Sequence, residues 1–331
     1  MDATEILTFA IRSAIGPLAA TYALATIGLN IHFGYTGLLN IGQVGFVMVG
    51  AYGVAITGGV LGGSLWLGVL VALVLSVVLA ALLAVPTLRL RADYLAITTI
   101  AVGEVLRLGA RSSHLGPLTG GPDGIAGFAG AFYALNPIPD GDYGFWVVQL
   151  GNERRVWLLV VGWLLVALCC LVVWGLAHSP WGRVLRAIRS DEEAVRSVGK
   201  NVFGYKTQSL MVGGAIGAVG GMYFALSSAS VSPDTFDPRI TFYAYVILLL
   251  GGAGTVLGPV LGSVLFYALF QAADIFLRQG QAAGWLPLVD WFGSQAIGAV
   301  RLALVGLGLM LLMIYRPQGI LGDRRDVALG V

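Results

Sequence analysis

Apolar runs of about 20 residues, the length at which a helix crosses the hydrocarbon core of a bilayer, recur along this chain. Six are clear: Ile15–Phe33, Leu65–Val85, Val156–Ala177, Ser209–Ser227, Val256–Leu277 and Ile297–Tyr315. Three more are weaker. Leu38–Val60 is interrupted by glycines, Leu95–Leu108 is short and contains Glu104, and Tyr243–Leu250 is too short to cross unaided. The pattern predicts an all-α polytopic membrane protein of about eight to nine transmembrane or broken helices. It forms one transmembrane domain over residues 1–331, with a polar segment at 178–206.

Composition points the same way. Hydrophobic residues make up 57% of the chain and charged residues 11%, against roughly 25% charged in a soluble domain. Too few charges remain to cover a water-facing surface, so a soluble fold is excluded. Glycine supplies 48 of 331 residues, about twice the usual ~7%. In so apolar a chain, glycine serves close helix packing and helix interruption. The net charge of +2 gives no reason to expect nucleic acid. Cys169 and Cys170 are adjacent in an apolar run, so neither a disulfide framework nor a metal site is expected. No cofactor is expected. The first residues, Met1-Asp2-Ala3-Thr4-Glu5, lack the basic start of a cleaved signal peptide.

Lys and Arg placement orients the spans, because cytoplasmic loops collect positive charge. Six of the 19 basic residues lie between His178 and Lys206. Arg89 and Arg91 share one short loop, and Arg316, Arg324 and Arg325 follow the last span. Placing these three regions in the cytoplasm works if Tyr243–Leu250 descends, the chain turns at Gly251–Gly254, and Val256–Leu277 climbs back. Ser112–Arg155, Ala229–Arg239 and the N-terminus then lie outside.

Two glycine-broken stretches sit in the N- and C-terminal halves respectively: Gly34–Gly45 and Gly251–Pro259. Paired interruptions of this kind mark a binding or translocation site at a repeat interface. Asn30, Asn40 and Gln43 surround the first break and Gly251, Gly252 and Gly254 form the second, so these residues are candidates for the pathway. Each amide has an alternative use, bonding a neighbouring helix. Gly213, Gly217 and Gly221 repeat at four-residue spacing, as do Gly254, Gly258 and Gly262, which lets another backbone approach closely. Glu104 is the acid that needs explaining, since charge at membrane depth is costly and either functional or paired. Arg107 at i+3 supplies the pairing explanation, with Arg111 on the same face, and Glu104 otherwise joins the pathway candidates. Arg301 lies in the last span without a local partner; Asp274 is a conceivable one.

The stretch from His178 to Lys206 predicts an amphipathic helix about 25 Å long, with Val184, Ile188, Val195 and Val198 at helical spacing and Gly199 as its stop. One reading lays it on anionic lipid. The acidic triplet Asp191-Glu192-Glu193 speaks against that and for a protein partner.

Glu193-Ala194-Val195, followed after three residues by Gly199, resembles the Glu-Ala-Ala coupling motif of ABC-importer permeases. Val replaces the last Ala, and the downstream Ile-x-Leu-Pro is absent. Further strings are similar to the branched-chain amino-acid (LivM-like) permeases: Gly34-Tyr35-Thr36-Gly37-Leu38-Leu39, Leu90 to Ile97, Thr119 to Ile125, Gly182 to Gly199, Leu249 to Pro259, and Tyr315 to Gly319. They run in order over nearly the whole chain. The resemblance implies an ABC importer permease fold in a bacterial inner membrane. It also implies partners: a homologous second permease (LivH-like), two cytoplasmic ATP-binding subunits and a periplasmic substrate-binding protein. Arg186, Arg189, Asp191, Glu192, Glu193, Ala194 and Gly199 would couple to the ATPase. The chain itself has no Gly-x-x-x-x-Gly-Lys-Ser/Thr phosphate loop, so hydrolysis would belong to partners and no catalytic residue is expected here. The substrate would be a branched-chain or related amino acid. Urea, amides and aromatic acids are the alternatives within the wider family. A secondary transporter would need more intramembrane acids, and a membrane enzyme would need convergent residues where His32, His114 and His178 are scattered.

Overall fold

A computed structural model describes residues 3–87, 92–145, 148–282, 295–316 and 318–322. Leu90, Arg89 and Arg91 of the first basic loop, and Asp323 to Arg325, lie outside the described residues.

The helices follow the apolar runs. α1 (Ala3–Ala14) bends by 41° into α2 (Pro17–Asn30), which starts with proline at the first helical position and runs on through a π-helical turn, Ile31–Tyr35. α3 (Gln43–Ala55) follows an unwound stretch and ends in a second π-helical turn, Ile56–Val60. α4 (Leu65–Thr87) and α5 (Ala92–Arg111) form the next pair. Two short helices, α6 (Gly116–Thr119) and α7 (Gly130–Ala134), and a hairpin of β2 (Asp142–Phe145) and β3 (Val148–Asn152) fill the long loop before α8 (Glu153–His178). α9 (Pro180–Ser190), α10 (Glu192–Ser197) and α11 (Val202–Ser228) come next. α12 (Arg239–Gly251), α13 (Gly258–Ala282) and α14 (Gln295–Tyr315) complete the order. Among the described residues, five helices are long and apolar enough to cross a membrane, or six with the bent α1–α2 pair. The larger count of eight or nine also includes α5, which carries charge, α12, which has 13 residues, and α14.

α11 is the centre of the bundle, packed between α2 and α3. Its glycines make this possible. A Cβ on Gly28 would collide with the Gly213 carbonyl, and one on Gly221 with the Val47 carbonyl. The second glycine run closes the α12–α13 hairpin in the same way, through Gly258 against Gly252 and Gly262 against Ile247. Both runs are packing faces within the chain. By contrast, α4 and α8 turn Trp66, Leu70, Leu82, Leu164 and Leu171 outward, the apolar surface that a bilayer solvates.

The two ends of the bundle hold different segments. At one end, Arg189 of α9 reaches the Gly34 carbonyl, and Ile320 and Leu321 bond the Leu250 and Gly251 carbonyls. At the other, β1 (Ile125–Ala126) pairs antiparallel with β4 (Ser230–Val231), joining the two long loops. α12 descends from that loop end, the chain turns at Gly251–Gly254, and α13 returns.

Candidate functional site

Three regions hold the residues singled out in the sequence: the paired breaks, the Glu104 cluster and the segment α9–α10.

The first break is a buried polar knot. Asn40, Gln43 and His32 have no exposed surface and Asn30 has 1%. Asn40 Oδ1 accepts the Gly42 N–H (3.0 Å), so its Nδ2 is the donor to both Gln43 Oε1 (3.1 Å) and His32 Nδ1 (3.0 Å). His32 therefore accepts through Nδ1 and carries its proton on Nε2, which donates to the Leu210 carbonyl of α11 at 3.3 Å. Gln43 Nε2 donates to the Ala25 carbonyl in α2 (3.1 Å). The unwound backbone finds side-chain partners: Ile41 N–H to Thr99 Oγ1 (3.0 Å), Val44 N–H to Thr241 Oγ1 (2.9 Å), and the Asn40 carbonyl from Tyr245 Oη (3.2 Å). These bonds explain how a buried unwound stretch is tolerated, since unpaired buried backbone is costly.

The second break touches the first. Asn30 Nδ2 donates to the Thr255 carbonyl (2.7 Å) and its Oδ1 accepts the Gly254 N–H (2.8 Å). The two interruptions, some 220 residues apart, thus share one side chain. Gly252 has φ +111° and Gly254 φ +80°, angles that L side chains avoid. Gly251 and Gly252 are buried, and the backbone of residues 319–322 lies directly on Gly252; a Cβ there would sit 2.5 Å from the Gly322 nitrogen. Within this chain the turn is filled by protein.

Glu104 is not part of this knot. Its carboxylate takes a bidentate pair from Arg107 (2.5 and 2.9 Å), and Arg107 and Arg111 each reach Asp234 in the α11–α12 loop at 3.2 Å. Arg301 meets Asp274 at 2.8 Å, with its guanidinium 4.0 Å from the Phe270 ring centre, and Arg278 holds the other Asp274 oxygen.

The segment expected as one helix is two. Asp191 adopts an extended conformation (φ −155°, ψ 104°) and its Oδ1 accepts the N–H groups of Glu193 (2.9 Å) and Ala194 (3.0 Å). A short acid that caps the next turn ends one helix and starts another, which corrects the single 25 Å helix. α9 buries Leu185 and Ile188, and Arg186 donates to the Ala177 carbonyl (3.0 Å). Arg189 donates to the Gly34 carbonyl (2.5 Å) and packs its stem on Gly37. Glu192 is bound to Arg196 and Lys206. Beyond the cap, Glu193, Ala194 and Gly199 are exposed, as is Val198 at 76%. Gly199 has φ +79° with open space around it. The segment is therefore fastened to the first break on one side and offers a small mixed surface on the other.

The family model for the branched-chain amino acid transport system permease component matches residues 11–315. The chain belongs to this family. The permease is 31% identical over 93% of its length to the high-affinity branched-chain amino acid transport system permease protein LivM of Salmonella typhimurium, covering 69% of that protein. A probable LivM of Methanocaldococcus jannaschii is 25% identical over 92% of the permease and 91% of the relative. A nucleoside ABC transporter permease, NupC of Lactococcus lactis, is 26% identical over 70% and 71%. No solved structure matches.

From sequence, His32, Thr36, Ser209, Thr241 and Tyr245 carried no role at the break, yet all tie it to other helices. A histidine or threonine inside an apolar run was their visible signal, but only the packing of α11 and α12 against α2 and α3 supplies their partners.

Proposed function

We propose that this permease is the membrane-spanning subunit of an ATP-driven importer for branched-chain amino acids. It works with a second homologous permease, two cytoplasmic ATP-binding subunits and a periplasmic binding protein, in a bacterial inner membrane. One observation carries the reading. The segment with the Glu-Ala-Val…Gly coupling pattern is bolted to the first break, through Arg189 and the Gly34 carbonyl, while its Glu193–Gly199 face is exposed. A partner that moves α9–α10 moves the break.

In this reading residues 178–206 form the ATPase-coupling segment. Arg186, Arg189, Asp191 and Glu192 build it, and Glu193, Ala194 and Gly199 meet the partner. Asn30, Asn40, Gln43 and Gly251–Gly254 hold the two interrupted segments whose relative movement opens the passage. The membrane-depth acids Glu104 and Asp274 are engaged by arginines, which favours ATP over an ion gradient as the energy source. The LivM relatives favour branched-chain amino acids over urea, amides or aromatic acids.

The test is reconstitution of the four-component assembly in liposomes. Leucine uptake should require internal ATP and stop when the ATP-binding subunits are omitted. ATP-independent uptake driven by a proton or sodium gradient overturns the reading.

A further inference from the structure

At the loop end, where α1 bends into α2 beside the start of α8, two arginines converge. A Cβ placed on Gly151 of β3 would lie 3.2 Å from Arg155 Cδ and 3.5 Å from Arg12 Nη2, so both side chains reach one point. Both residues are partly buried. Among the described residues neither guanidinium has a carboxylate partner, and Arg12 Nε is fully buried with no hydrogen-bond partner. The acid nearest to Arg155 in the chain, Glu153, lies instead 4.0 Å from Arg154 Nε. By contrast, Arg107, Arg278 and Arg301 each meet an acid. Two like charges held together and partly desolvated repel each other and lose hydration. An anion between them removes both costs.

The pair sits where apolar spans begin. The apolar run of α8 starts at Val156, directly after Arg155, and that of α2 at Ile15, three residues after Arg12. Trp163 Nε1 donates to the Ile15 carbonyl at 2.8 Å and ties the two helices together. Phe9, Ile11 and Leu18 turn outward around Arg12, as do Val160 and Leu164 below Arg155. Charge at the mouth with exposed apolar surface beside it matches a lipid, whose phosphate lies at the edge of the hydrocarbon core. The Lys/Arg count expects this end outside, where basic residues are the exception. A phosphate diester brings one negative charge and acceptor oxygens that suit the planar fork of each guanidinium.

We propose that Arg12 and Arg155 form a headgroup site for an anionic phospholipid. The phosphate bridges the two guanidiniums, and the acyl chains lie over the exposed apolar residues of α2 and α8. The lipid thereby joins α1 to α8 at the bend that leads into α2. The site does not depend on which solute the permease carries.

The experiment uses the full chain, delipidated in an uncharged detergent, and follows the thermal midpoint as phosphatidylglycerol, phosphatidylcholine or inorganic phosphate is added. Phosphatidylglycerol should raise the midpoint saturably. Phosphatidylcholine, neutral overall, should need at least tenfold more lipid, and inorganic phosphate in millimolar excess should do nothing. Arg12→Gln and Arg155→Gln made together should weaken the phosphatidylglycerol response at least tenfold. Arg154→Gln removes an equal charge one position away, from an exposed residue, and should leave the response within twofold. Without lipid the double variant should melt no lower than the wild type, because it removes a repulsion, so loss of the site is separable from loss of the fold. Equal responses to the two lipids, or equal stabilisation by inorganic phosphate, overturns the lipid site. An unchanged response in the double variant also overturns it, and loss of binding-protein docking in that variant would then assign the arginines to a protein contact. A lower lipid-free midpoint in the double variant shows that the arginines are satisfied within the chain, and an Arg154→Gln effect as large as the double variant's shows diffuse attraction; either sinks the proposal.

Discussion

Asn30 clamps Gly254: the side-chain oxygen accepts the glycine N–H at 2.8 Å while the amide nitrogen holds the next carbonyl, that of Thr255, at 2.7 Å. One side chain on α2 therefore satisfies two backbone groups of the second break. Asn30→Ala removes the partner of both half-buried groups, at up to about 1–3 kcal/mol each. Asn30→Asp keeps the acceptor but loses the donor and adds a charge at membrane depth, so it should do at least as much harm. The measurement is thermal unfolding of the purified protein in detergent. Wild-type midpoints in both variants would show that the clamp contributes nothing.

Gly252→Val combines two faults. Valine does not reach φ +111°, and its Cβ would sit 2.5 Å from the Gly322 nitrogen. The turn should release residues 319–322, exposing the Ile320 and Leu321 N–H groups that now bond α12. Hydrogen exchange at those two amides should quicken by at least tenfold, and uptake should fall. Unchanged exchange with normal uptake would contradict the packing described.

If α9–α10 is the coupling segment proposed above, its defects should be separable. Gly199 needs a positive φ and has space around it, so Gly199→Val strains the backbone without a clash and should redirect the chain between α10 and α11. Substrate-stimulated ATP hydrolysis should drop several-fold while the binding protein still docks. Glu193→Lys reverses an exposed charge beside the Asp191 cap, and should weaken association with the ATP-binding subunits in a salt-dependent way. Pull-down and ATPase assays in nanodiscs read both. Wild-type behaviour of the two variants would make this a lipid-surface segment instead.

Orientation is checked with single cysteines at Ser190 and Asp123, both exposed and at opposite ends of the bundle. The basic residues put Ser190 in the cytoplasm and Asp123 outside. Asp123 is the better reporter than its neighbour Gly124, where a side chain would strike the Val231 carbonyl. A membrane-impermeant thiol reagent added to whole cells should label Asp123→Cys and leave Ser190→Cys untouched. Labelling of both from one side would overturn the assignment.

What was legible in the sequence follows physical range. Apolar runs gave α4, α8 and α13 to within a few residues, because length and hydropathy are local quantities. The Glu104–Arg107 pair was legible at i,i+3, but Asp234 was not, since its link to Arg107 spans 127 positions. Both breaks announced themselves through glycine, whereas the contact between them depends on α2 meeting the α12–α13 turn in three dimensions. Within 178–206, periodicity alone predicted one helix. Asp191 fits an exposed helical face as well as it fits a cap, and only its backbone angles decide between them. Asp274 was named as a partner for Arg301, and the two meet across α13 and α14.

The bonds from Ile320 and Leu321 to the carbonyls of Leu250 and Gly251 impose an order on biogenesis. The end of α12 enters the membrane with these two carbonyls uncapped, and their partners are made about seventy residues later. At roughly 5–20 residues per second, the nascent hairpin waits on the order of 4–14 s, through the synthesis and insertion of α13 and α14. The packing of the turn against residues 319–322 is therefore completed only after α13 and α14 have been made.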